Sequence, residues 1–113
     1  MNNSGRIPDG TYRQIKVIPN DWGENPNITV TIIKETPHII RLVANNQWIG
    51  YAVYNESQGS YLGSWEWKQG TGGYYEAEVF DCLLSYDGSN VTMGVTSRKT
   101  GIGHTIIWAF KSV

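Results

Sequence analysis

The chain has 113 residues, a net charge of −1 and one cysteine, which fits a single domain with one apolar core and excludes an internal disulfide. Its nine lysines and arginines are scattered, with no basic stripe to follow a phosphate backbone, so nucleic acid is not an expected partner. Five tryptophans and seven tyrosines are the dominant compositional signal.

In chain order, residues 1–9 read as a flexible N-terminal arm and 10–113 as the folded unit. No window carries a helical period. Apolar positions alternate in short runs broken by Gly, Asn, Asp and Pro, the pattern of half-buried strands. Eight strands are predicted, at 11–18, 28–34, 38–44, 47–54, 60–68, 74–84, 90–97 and 104–112. Trp22 sits in the one long loop, 19–27, between Asp21 and Gly23.

Short turns allow register to be argued. Glu35-Thr36-Pro37 reverses the chain so that Ile32, Val30 and Ile28 lie across from Ile40, Leu42 and Ala44. Asn45-Asn46 reads as a two-residue turn pairing Ala44 with Gln47 and Leu42 with Ile49. That register puts Ile49, Tyr51 and Val53 on the core face and Trp48 on the opposite one. A loop centred on Thr71 pairs Trp67 with Tyr75, Glu66 with Glu76 and Trp65 with Ala77. The sixth strand then conflicts with itself. Tyr61, Trp65, Trp67 and Tyr75 share one face, yet a strand that buries Phe80, Cys82 and Leu84 turns Glu76 and Glu78 inward. Either a β-bulge near 79–81 switches faces, or the aromatic row lies outside and carboxylates line the interior. Asp87-Gly88 reads as a second two-residue turn, aligning Phe80, Cys82 and Leu84 with Val91, Met93 and Val95. Cys82 is expected as a buried thiol and Trp108 as core.

Successive hairpins without helices predict an all-β, single-domain, antiparallel eight-stranded up-and-down barrel, whose closure removes exposed edges. The outline resembles that of the avidin and lipocalin families, although the chain carries no motif of either. A two-sheet β-sandwich is the alternative.

Binding ranks ahead of catalysis, because no nucleophile, phosphate-loop or dinucleotide motif occurs. His38 and His104 each begin a strand and are expected at solvent-exposed strand ends, without the further ligands zinc requires. The candidate ligand-binding residues are Trp65, Trp67, Glu66, Glu76, Tyr61, Tyr75, Trp48 and Trp22. Opposed carboxylates at Glu66 and Glu76 repel unless Lys68, a shared proton or a ligand relieves them. Their plain reading is a solvated outer face. Their functional reading is a sugar site, since a pyranose offers apolar C–H faces to aromatic rings and hydroxyls to carboxylates. A small carbohydrate-binding lectin is therefore the leading expectation. The alternatives are a carrier of a small apolar or aromatic ligand inside the barrel and a small enzyme using the paired carboxylates.

A homo-dimer or higher oligomer would cover tryptophans left on the surface. No cofactor or metal is implied. The start of the chain lacks a hydrophobic leader and no segment is apolar enough to span a bilayer. The expectation is a cytoplasmic protein, or one exported without a classical signal peptide, with no membrane insertion. Asn-x-Ser/Thr triplets begin at Asn2, Asn27, Asn55 and Asn90 and matter only in a secreted chain.

Overall fold

A computed structural model describes residues 5–20, 27–44, 48–67 and 79–112, with the side chain of Trp67 outside the description. The strands are β1 (Gly10–Ile18), β2 (Thr29–Lys34), β3 (Ile39–Ala44), β4 (Trp48–Asn55), β5 (Ser60–Trp67), β6 (Val79–Tyr86), β7 (Asn90–Ser97) and β8 (Gly103–Phe110). Each pairs antiparallel with its sequence neighbours, and β8 returns to β1. The sheet is a closed eight-stranded up-and-down barrel, not a sandwich.

Alternation along each strand sorts the side chains. Ile32, Leu42, Leu84, Val91, Met93, Val95 and Trp108 point inward and are almost fully buried, with Trp108 only 1% exposed. Each such side chain contributes about 1.5–3 kcal/mol by leaving water. In β1 the inward set begins as Tyr12 and Gln14 and changes to Val17, because the ladder to β8 skips Ile15. One extra residue in a strand shifts every later side chain to the other face.

The β2–β3 turn is longer than expected. Ile32 pairs with Leu42 rather than Ile40, a slip of two residues that keeps the inward face unchanged. The β6–β7 turn behaves likewise, pairing Leu84 with Met93 and Tyr86 with Val91. Asp87 Oδ1 accepts the N–H groups of Ser89 and Asn90, both at 2.7 Å, which closes this turn and holds the Asp87 carboxyl below its ordinary pKa.

The β3–β4 register overturns one expectation. Ala44 pairs with Trp48, not Gln47, so the connection holds three residues, 45–47, which lie outside the described residues. A slip of one residue inverts the strand. Trp48, Gly50 and Ala52 face the core, while Ile49, Tyr51 and Val53 face outward. Tyr51 and Val53 are half exposed.

The β5–β6 register removes the parity conflict. Trp65 pairs with Phe80 and Tyr61 with Leu84, an odd offset from the expected pairing. Tyr61 and Trp65 are therefore buried together with Phe80, Cys82 and Leu84. No bulge interrupts the β5–β6 ladder over residues 79–85. Gly63 allows β4 and β5 to approach here: a Cβ on it would overlap the Tyr51 carbonyl oxygen and come within 2.5 Å of Ala52 Cα.

Candidate functional site

The two ends of the barrel differ. The turns 34–39, 55–60 and 86–90 lie at one end, together with the start of β1. Gly5–Asp9, read from composition as part of a loose arm, run across this end. Gly5 N–H donates to Tyr86 O at 2.9 Å, and Ile7 N–H donates to Tyr61 Oη at 3.0 Å. Tyr12 Oη donates to Pro8 O at 2.7 Å, and Asp9 Oδ1 accepts Lys34 N–H at 3.0 Å. Ile7 is 5% exposed, wedged onto the core. The Arg6 guanidinium lies 4.3 Å above the Tyr54 ring, donates to Pro37 O and pairs with Glu56. Burial pushes Tyr12 up to about pKa 12 and raises Tyr61 as well, so both hydroxyls keep their protons.

A half-open cleft of about 390 Å³ lies beside the arm between Arg6, Asp9, Lys34 and Pro37. Arg6 and Asp9 already hold the arm in place. This arm end is a closure.

The opposite end receives the ends of β1, β3, β5 and β7 and the starts of β2, β4, β6 and β8. We call it the loop end. Three rings from adjacent strands form a stack. Trp65 lies parallel to Phe80, with centroids 4.3 Å apart and planes at 5°. Trp48 approaches Trp65 from the β4 side at 4.6 Å and 35°. Such pairs contribute about 0.5–1.5 kcal/mol beyond their buried area. Gly50, directly across from Trp65, lets β4 and β5 approach closely, since a Cβ there would come within 2.5 Å of Ser64 O and 2.6 Å of Trp65 Cβ.

Beyond Phe80, whose cross-strand neighbour is Ser97, strands β7, β8 and β1 place the described interior's buried polar side chains, Ser97, His104 and Gln14. The Ser97 hydroxyl accepts the N–H groups of Lys99 and Thr100 and shapes the β7–β8 turn. His104 is 5% exposed, which corrects the expectation of a solvent-exposed strand end. His38 is exposed, 3.9 Å from Glu56. Deeper, Gln14 is the cross-strand partner of Trp108. The Trp108 indole N–H is fully buried and has no hydrogen-bond acceptor among the described residues. An unmet buried donor costs about 1–3 kcal/mol, so it calls for a partner.

The sequence-predicted site residues separate. Trp48, Tyr61 and Trp65 are inside the barrel at 3–5% exposure. Trp48 and Trp65 meet at the loop end, whereas Tyr61 belongs to the arm end, 4.8 Å from Tyr54. Glu66 is exposed on the outside and pairs with Val79, which corrects the expected opposition to Glu76. Trp65 and Glu66 thus face opposite sides of the sheet, and Trp65 has a ring on each side. Trp22, Tyr75, Glu76 and the side chain of Trp67 lie outside the described residues. Phe80, Gln14 and His104 were missed as site residues. The signal for Gln14 and His104 is a polar side chain at an inward position of an alternating strand.

Burial drives the Cys82 thiol up to about pKa 12, which makes it an inert core group. Among the described residues no three His, Cys, Asp or Glu side chains gather as a metal centre requires. No known protein-family model matches the chain, and no curated protein matches it.

Proposed function

We propose that the protein is a non-enzymatic binding protein whose ligand is a small, mostly apolar planar molecule carrying a hydrogen-bond acceptor. It enters at the loop end, packs beside Trp48 at the edge of the aromatic stack, and presents its acceptor toward the barrel centre. The observation that carries this reading is the buried Trp108 N–H without an acceptor among the described residues, set in a barrel whose interior bears the aromatic stack on β4–β6 and Gln14 and His104 on β1 and β8. Small-molecule sites combine apolar walls with a few placed polar groups in this way.

The carrier reading is favoured over the lectin reading by two facts. Glu66 does not share a face with Trp65, and Trp65 has no open ring face for a pyranose. A sugar also brings hydroxyls around its whole edge, more than the described polar groups of this end can meet. The paired-carboxylate enzyme lacks its pair in this register.

Binding is tested by tryptophan fluorescence and calorimetry with benzaldehyde, benzamide, toluene and methyl glucoside as probes. The expected result is saturable binding of the two carbonyl-bearing rings, weaker binding of toluene and none of the glucoside. Trp48→Ala should weaken the carbonyl probes about tenfold, and Trp108→Phe should erase their advantage over toluene, a difference near 1.4 kcal/mol. Glucoside binding without aromatic binding would return the protein to the lectins.

A further inference from the structure

The outer surface of the barrel carries an apolar area that the described residues leave uncovered. Ile39, Val53, Leu62 and Leu83, on β3, β4, β5 and β6, are direct cross-strand neighbours in one row. Val53 and Leu83 are about half exposed, and Leu62 is 63% exposed. The next row toward the loop end is Arg41, Tyr51, Ser64 and Asp81. A polar row, Asn55, Ser60, Ser85 and Thr92, bounds the face on the arm side, and on the loop side it continues through Val43, Ile49, Glu66 and Val79. A contiguous apolar area with a polar border has the anatomy of an interface.

We infer that this face docks a second copy of the same chain. Place a twofold axis in the contact plane, along the strands and midway between β4 and β5. It exchanges β4 with the partner's β5 and β3 with the partner's β6, so each row lies on its own copy. Val53 then faces the partner's Leu62, and Ile39 faces the partner's Leu83. Bulky Tyr51 faces the small partner's Ser64, and Arg41 faces the partner's Asp81. Every contact occurs twice, as an isologous interface requires. In these two rows size and charge are self-complementary about one axis, which is what commits the face to a second copy rather than an unrelated protein.

Within one chain Arg41 Nε is 2.7 Å from Glu35 Oε1, and Asp81 pairs with Arg98 at 2.8 Å. These pairs are partly exposed, so re-pairing across the axis costs little. Sheet twist makes packed strands cross at about 30°, which keeps the rows near the axis in contact and splays the rest.

Sedimentation velocity on the whole chain, from micromolar to near-millimolar protein, tests this. The expected result is a concentration-dependent dimer. Leu62→Glu should leave only monomer with unchanged circular dichroism. Arg41→Asp and Asp81→Arg should each weaken the dimer about tenfold, and the double variant should regain it. A monomer at every concentration overturns the inference, as does a dimer indifferent to Leu62→Glu or a double variant without rescue. A monomer that floats with phosphatidylcholine vesicles, and loses that binding on Leu62→Glu, would assign the face to a lipid surface instead.

Discussion

The two ends of this barrel use aromatic residues for different purposes. At the arm end the rings are tyrosines, and two of their hydroxyls are committed: Tyr12 donates to Pro8 O and Tyr61 accepts from Ile7 N–H. Those bonds let a polar strand of backbone, Gly5–Asp9, lie on an apolar core without stranding its amides. At the loop end the rings are indole and phenyl, stacked on one another, and the buried polar groups come from other strands. Aromatic count alone does not distinguish a seal from a site. What distinguishes them is the Trp108 indole N–H, a buried donor with no acceptor among the described residues.

The sharpest way to break this comparison is to empty the loop-end stack. Trp65→Ala removes the middle ring of three and should cost about 3–5 kcal/mol in urea unfolding, since both of its faces are in contact. A loss below about 1 kcal/mol would mean that the stack does not form. Gly63→Ala should cost about 3 kcal/mol or fail to fold cooperatively, because the clash is with the β4 backbone, which cannot rotate away. Wild-type stability in that variant would contradict the close approach of β4 and β5.

At the arm end the effects are smaller. Tyr61→Phe leaves Ile7 N–H without its acceptor and should cost about 1–3 kcal/mol. Hydrogen exchange sharpens this: the Gly5 and Ile7 amides should lose protection while amides of β5–β7 facing the loop end keep theirs. Uniform loss of protection would join the two ends into one unit.

The smallest effect is alkaline. Tyr12 and Cys82 are raised in the folded state, to about 12 from 10.0 and 9.0 respectively, so the folded chain holds protons that the unfolded chain releases. Their contribution is complete below about pH 9 and is lost as pH rises toward about 12. Stability by urea titration should fall through that window, and Tyr12→Phe should flatten the fall. An unchanged slope would contradict a buried, neutral Tyr12.

Much of the fold was legible because alternation reports burial directly. The eight strands, their order and the inward sets of β2, β3, β7 and β8 follow from it, and slips of two residues at 35–38 and 87–90 leave the faces intact. Odd offsets are not legible in that way. A third residue in the Asn45-Asn46 connection inverts β4, exchanging Trp48 with Ile49, and both are apolar, so composition cannot object. The bulge at Ile15 shows in sequence only through Lys16, which unbroken alternation from Tyr12 and Gln14 would turn inward. The 61–80 hairpin signals trouble, since buried Phe80 and buried Trp65 cannot share the short-loop register, and the observed pairing of Trp65 with Phe80 buries both. The site was less legible still. Trp48 and Trp65 were marked as candidates, but their supposed carboxylate partner Glu66 faces away, while Gln14 and His104 become visible as a group only once β1 closes on β8.

The asymmetry of the two ends is tested most directly by mapping amide and indole resonances of the labelled protein during titration with benzaldehyde. Shifts confined to Trp48, Trp65, Phe80, His104, Gln14 and the Trp108 indole N–H, with Tyr12, Tyr54, Tyr61 and Tyr86 unmoved, are the predicted result. Shifts centred on the arm end or the outer face, or no saturable shift at all, would contradict it.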